Sequence, residues 1–145
     1  IFKKKFIKMI TEENKSIKII NASTCLLLEV SKADNHIDIK EIKIIKDIII
    51  DFFKIEKLNI DTIISNCMLK IEKSTDIYQF GKILNEHFTY QDKVDFICCT
   101  FEVAFIDSDA HYLEEHIIKK IAYILSVEDI DLIKAKKEMK KIFSL

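Results

Sequence analysis

The chain has 145 residues, of which 49% are hydrophobic, and its formal net charge at pH 7 is −1. This size and apolar content suit a single domain that buries a sizeable core. Every basic residue is lysine, so the bidentate contacts that arginine makes with phosphates and bases are excluded, and nucleic acid is not an expected partner.

Periodicity predicts helices along the whole chain. Proline is absent and glycine occurs once, which argues against β-hairpin turns. Apolar residues recur at three- and four-residue spacing, as on one face of a helix, in residues 60–71 and 94–105. The predicted helices cover residues 2–10, 15–33, 38–55, 60–73, 76–88, 91–107, 112–125 and 129–143. Their short connections predict an all-α fold, a compact bundle of seven to eight helices in one domain, 1–145.

Three polar residues predict where helices begin. Asn59 precedes an apolar helical pattern, Thr89 is followed three residues later by Asp92, and Ser126 is followed by Asp129. Such side chains accept hydrogen bonds from the first backbone amides of a helix. Each is therefore expected to cap the helix that follows it.

The first predicted helix, residues 2–10, carries an apolar stripe beside the lysines of residues 3–5. Such a stripe usually docks on its own domain, and peripheral membrane binding through one short basic helix would be weak. No apolar run approaches the roughly 20 residues of a membrane-spanning helix, and residues 1–10 lack the apolar stretch of a secretory signal. A cytoplasmic location is therefore predicted.

The four cysteines lie within apolar helical patterns and lack zinc-ligand spacing. They are Cys25, Cys67, Cys98 and Cys99. We expect them to be small core residues, because free cysteine is among the most frequently buried residue types.

Two segments, residues 29–41 and 102–114, share one layout of acidic and apolar residues. The aligned pairs are Glu29 with Glu102, Asp34 with Asp107, Asp38 with His111, and Glu41 with Glu114. Each segment has the pattern of a helix end, a polar corner and the start of the next helix. The repeat predicts an internal pseudo-twofold duplication of the fold.

The acids at these corners form a candidate site for a divalent cation. Asp38 and Glu41 fit a capping box, but an acid at the carboxyl end of a helix, such as Glu29 or Asp34, opposes the helix dipole at a cost of roughly 0.3–1 kcal/mol. Lys32 or a bound calcium, magnesium, manganese or zinc ion would offset that cost. The candidate ligands are Glu29, Asp34, Asp38 and Glu41 at the first corner, and Glu102, Asp107, His111 and Glu114 at the second. Because His111 replaces an acid, the first corner is the better site for a hard cation.

Reaction motifs are absent from the sequence. Neither corner has the glycine that an EF-hand requires, no His-Glu-x-x-His occurs, and a chain with one glycine has no glycine-rich phosphate loop. The absence of these motifs favours a non-catalytic binding module, and two alternatives to it stay open. One is a metal-dependent hydrolase or redox enzyme that uses the acids and histidine, and the other is a structural scaffold whose corners are only capped.

Two further motifs are Ser-Thr-Asp-Ile-Tyr-Gln-Phe at 74–80 and Asn-Glu-His-Phe at 85–88. Together with the two Glu-Val-x-x-x-Asp corners they resemble the TerB-like family, associated with bacterial tellurite resistance, over a core of about 17–138. The resemblance implies an all-helical duplicated domain, a divalent-cation site at the corners and no enzymatic activity. A member of the family is the amino-terminal domain of a membrane-anchored DnaJ-type co-chaperone. We therefore expect a non-catalytic module that binds a cation or a partner protein in a metal-stress or envelope-stress response. The sequence leaves its oligomeric state open, with a homodimer as one form.

Overall fold

The computed structural model describes residues 13–33, 37–73, 76–106 and 112–144. Its helices are α1 (Glu13–Lys32), α2 (Ile39–Phe53), α3 (Lys57–Lys73), α4 (Ile77–His87), α5 (Tyr90–Phe105), α6 (Tyr112–Ile124) and α7 (Asp129–Ile142). These ranges contain no strand, and the predicted all-α bundle is confirmed. The predicted helix at 2–10 lies outside the described residues.

Helix α1 lies at the centre of the bundle. It is buried at every position from 22 to 31 and packs against α2, α3, α4, α5 and α6. Its run Cys25-Leu26-Leu27-Leu28 is apolar on all sides, which is the pattern of a helix surrounded by protein. The end of α1 therefore lies where several other helices meet.

Helix α5 has the second central position. It packs against α1, α2, α6 and α7, just as α1 packs against α5, α6, α2 and α3. If α1 is exchanged with α5, α2 with α6 and α3 with α7, these contacts of one central helix become those of the other. A pseudo-twofold duplication would produce this relation. The duplication itself stays a prediction, because Asp34 and Asp107 at its corners lie outside the described residues.

The predicted helix starts have mixed outcomes. Thr89 and Asp92 form the expected capping box of α5, with the Asp92 N–H donating to Thr89 Oγ1 over 3.2 Å. The prediction for Asn59 is wrong, since α3 begins at Lys57 and Asn59 lies within its first turn. The prediction for Ser126 is also wrong. This residue has a left-handed φ of 58°, directly after α6, and Glu128 precedes α7.

Ion pairs on the surface connect neighbouring helices. Lys46 of α2 lies 2.6 Å from Asp61 of α3, and Lys136 of α7 pairs with Glu115 of α6. Partly exposed surface pairs of this kind contribute about 0–1 kcal/mol each, so the buried apolar contacts dominate the stability of the bundle. Among the helices that the structure describes, none has the length and apolar content to cross a bilayer.

Candidate functional site

The structure describes part of the predicted cation site. It covers Glu29, Asp38, Glu41, Glu102 and Glu114, whereas Asp34, Asp107 and His111 lie outside the described residues.

Glu29 lies in the last turn of α1 and only 7% of its surface is exposed. It lines a cleft of about 280 Å³ together with Lys32, with Tyr78 of α4 and with Lys120 of α6. Burial raises the pKa of the Glu29 carboxyl group, and the nearby Lys32 ammonium acts in the opposite direction. The expected positive partner for this acid is thus present within the chain.

Lys32 also links two helix ends. Its Nζ donates a hydrogen bond of 3.3 Å to the backbone oxygen of Ile71, near the end of α3. A lysine ammonium is favourable there because the carbonyl groups of the last turn lack helical partners. The same charge therefore stabilises the end of α3 and lies close to Glu29.

Asp38 and Glu41 begin α2 with the predicted capping box. The Asp38 N–H donates to Glu41 Oε1 over 3.1 Å, and the Lys40 N–H donates to Asp38 Oδ1 over 3.1 Å. The Glu41 side chain is buried. One oxygen of each carboxylate thus accepts a hydrogen bond at the start of α2. The capping role that the sequence predicted for these two acids is confirmed.

Glu102 is half-buried on α5 and has different neighbours from Glu29. Burial raises the pKa of its carboxyl group, and the negative charges of Asp47 and Asp51 on α2 raise it further. The alignment that pairs Asp34 with Asp107 pairs Asp47 with Lys120. The two aligned glutamates therefore face opposite charges on the neighbouring helix.

Glu114 is buried in the first turn of α6. A carboxylate there is stabilised by the positive end of the helix dipole. This position favours a carboxylate without a metal ion, as the capping box does at Glu41.

Within ranges 13–33, 37–73, 76–106 and 112–144, no three His, Cys, Asp or Glu side chains form a group that could hold a metal ion. A cation at either corner would therefore need a ligand from the residues between helices, such as Asp34 or Asp107. The binding of a cation by the complete set of candidate ligands stays a prediction.

A larger surface feature was not predicted from the sequence. A groove of about 1230 Å³ lies among α4, α6 and α7, and we refer to it as the groove. It is lined by exposed apolar side chains and by charges of both signs. These residues include Tyr78, Tyr123, Ile133, Lys82, Lys119, Glu128 and Asp129. The signal available in the sequence was the presence of Tyr123 and Ile133 on otherwise polar helix faces.

A comparison with family models identifies the relatives of this bundle. The model described as "Tellurite resistance protein TerB" matches residues 21–137. The chain belongs to the TerB family. The match to TerB extends from α1 into α7 and includes all the candidate ligands, so the resemblance found in the corner motifs is confirmed. No curated protein and no solved structure matches the chain.

Proposed function

We propose that this TerB-family chain is a non-catalytic module that binds a divalent cation at its first corner and also binds protein. We place it in a cytoplasmic response to tellurite, to other metal stress or to envelope stress. The observation that carries the cation proposal is Glu29, a buried acid at the carboxyl end of α1 whose pKa burial raises. Such a group gains from a nearby positive charge.

The chemistry of the first corner favours a hard cation. Its candidate ligands are the carboxylate oxygens of Glu29, Asp34, Asp38 and Glu41, and oxygen ligands of this kind suit calcium or magnesium. At the second corner, His111 stands where Asp38 stands in the first. We therefore expect the first corner to bind the ion more tightly.

A scaffold without a ligand is the second candidate, and specific contacts favour it. The capping box explains Asp38 and Glu41, and Lys32 provides a positive charge near Glu29. The two candidates differ in one measurable respect. Only a cation site makes stability depend on the concentration of a metal ion.

Thermal unfolding of the purified protein, with chelator and with calcium, magnesium, manganese or zinc, distinguishes the candidates. A cation site predicts that the melting temperature rises with the preferred ion, by the equivalent of about 2.7 kcal/mol at a hundred times the Kd. Asp34→Asn should abolish this gain. Asp107→Asn is the matched control and should largely keep it, because the second corner is weaker.

Glu41→Gln separates the capping role from the metal role. Glutamine also serves in a capping box, so the variant should match the wild type in chelator. If Glu41 binds the ion, the variant should respond less to the metal in the same titration. Equal metal responses of the wild type, Asp34→Asn and Glu41→Gln would favour the scaffold.

We infer that the protein-binding surface is the groove, and that its occupant is a second copy of this chain. Tyr123 is 80% exposed there, and Tyr78 and Ile133 are also exposed, so association would bury apolar area. Lysines on α4 and α6 and the acids Glu128 and Asp129 line the same groove. A twofold pairing brings the basic part of one copy to the acidic part of the other, as a self-complementary interface requires.

A further inference from the structure

Two buried cysteines on neighbouring helices lie in contact. Cys25 of α1 is 0% exposed and Cys67 of α3 is 1% exposed, and their thiols share a hydrogen bond. Cys67 Sγ also donates to the backbone oxygen of Asn21 over 3.5 Å. Asn21 lies one helical turn before Cys25, so this contact fixes the Cys67 thiol beside Cys25.

The cysteine pair lies just below the surface. Asn21 lines one cleft of about 430 Å³ with Asn66 and another of about 360 Å³ with Lys70. Asn66 and Lys70 flank Cys67 on α3. Both clefts are thus lined by neighbours of the two cysteines rather than by the thiols themselves.

The electrostatics of the pair distinguish the two sulfur atoms. The hydrogen bond from Cys25 lowers the pKa of Cys67 most, burial acts in the opposite direction, and the Lys70 ammonium lowers it further. The pKa of Cys25 is raised, first because its proton is held in that hydrogen bond and then because the group is buried. Cys67 therefore ionises first, and the thiolate is the nucleophilic form of cysteine.

We propose that Cys25 and Cys67 form a reversible dithiol–disulfide site that reacts with two-electron oxidants of the peroxide class. The Cys67 thiolate attacks one oxygen of hydrogen peroxide, the O–O bond breaks, and the other oxygen leaves with a proton as water. Cys67 is then a sulfenic acid. Cys25 Sγ attacks the Cys67 sulfur, the S–O bond breaks, and a second water leaves with the Cys25 proton. Two thiols and one peroxide thus give one disulfide and two waters.

The chain contains its own control in Cys98 and Cys99. The repeat aligns Cys98 with Cys25 but aligns Lys140 with Cys67, so the second half lacks the partner thiol on the equivalent helix. Burial and nearby acids, led by Glu138, raise the pKa of Cys98 to about 11. Burial also raises the pKa of Cys99. Both thiols are therefore expected to react slowly with peroxide.

Mass spectrometry of the full chain tests the proposal. Reduced protein is treated with hydrogen peroxide, and the remaining thiols are alkylated after unfolding. The expected product has lost two hydrogen atoms, contains a peptide that joins Cys25 to Cys67, and returns to the starting mass with dithiothreitol. Cys98 and Cys99 should be recovered as alkylated thiols, with oxidation at least about tenfold slower than that of the pair.

Variants identify the order of attack. In Cys25→Ala the sulfenic acid on Cys67 should persist long enough for dimedone to trap it, whereas Cys98→Ala should form the disulfide at the wild-type rate. The result from the wild-type protein does not depend on how the variants fold. Oxidation of Cys98 before the pair, or a cross-link between different chains instead of within one, would overturn the proposal.

Discussion

At Glu29, burial raises the pKa of the carboxyl group and a nearby lysine lowers it. At the aligned residue Glu102, burial and two aspartates all raise the pKa of the carboxyl group. The sequence placed Glu29 near a helix end, where a positive neighbour favours an acid, because this position follows from periodicity alone. The aspartates near Glu102 were not predicted, because they lie on α2 and only tertiary packing brings α2 and α5 together.

Glu29→Gln tests the cost of burying this charge. A raised pKa in the folded state adds stability below the ordinary glutamate pKa of 4.5, and this contribution is lost as the pH rises through the folded pKa. Glutamine removes the cost at neutral pH. In chelator, Glu29→Gln should therefore melt at a higher temperature than the wild type at pH 7, and the difference should vanish at pH values below the ordinary pKa.

Glu102→Gln is the matched comparison. It should gain more stability at pH 7 than Glu29→Gln, because Asp47 and Asp51 repel the Glu102 charge whereas Lys32 attracts that of Glu29. Thermal melts of the three proteins across the pH range measure both differences. A lower melting temperature of Glu29→Gln at pH 7 in chelator would mean that attraction to lysine exceeds the cost of burial.

The helices themselves were predictable because their apolar residues follow the helical period closely. Their ends were less predictable where the connections are short. Lys54 ends α2 in the left-handed conformation, with φ 56°, and α3 then begins at Lys57, before the expected start at Ile60. Ser126 behaves in the same way after α6. Lysine and serine seldom adopt this conformation, so the sequence contained no reliable signal for either helix end.

Gly81 shows how a single residue fixes the packing of two helices. It lies inside α4 with an ordinary φ, so the helix does not need glycine for its backbone conformation. A Cβ at this position would overlap Ile124 Cγ2 of α6, far inside van der Waals contact. The methyl group of a β-branched side chain on a helix has little freedom to move away. The absence of a side chain at Gly81 therefore sets the close approach of α4 and α6.

Gly81→Ala should destabilise the protein although alanine is the better helix former. The gain in helix propensity is about 1 kcal/mol, and overpacking a tight contact costs about 1–3 kcal/mol, so a net loss of about 1 kcal/mol is expected. Denaturant unfolding measures this loss. Ile124→Ala removes the overlapping methyl group, so Gly81→Ala should be neutral or stabilising in that background. An equal loss in both backgrounds would contradict the packing explanation.

At the scale of the whole molecule, the all-α bundle and the membership of the TerB family were predictable, because both depend on local patterns along the chain. The groove was not predictable in this way. Its residues come from α4, α6 and α7, and each helix supplies both apolar and charged residues. Only the packing of α4 on α6, through the contact of Gly81 with Ile124, brings Tyr78 and Tyr123 to one surface.

If the groove joins two copies of the chain, the mass in solution should rise toward that of a dimer with increasing concentration. Sedimentation equilibrium measures this rise. Tyr123→Lys should weaken the association at least about tenfold, because central aromatic residues dominate such interfaces. Tyr112 is 72% exposed and does not line the groove, so Tyr112→Lys is the matched control and should leave the association unchanged.

Charge reversal tests the twofold arrangement itself. Lys119→Glu alone and Asp129→Lys alone should each weaken the dimer, because each places like charges together across the axis. The double variant restores opposite charges at both symmetric contacts and should recover most of the affinity, whereas independent surface charges would give additive losses. Recovery in the double variant would therefore identify the groove as the interface. A chain that stays monomeric at every concentration, or additive losses in the double variant, would contradict the second copy as its occupant.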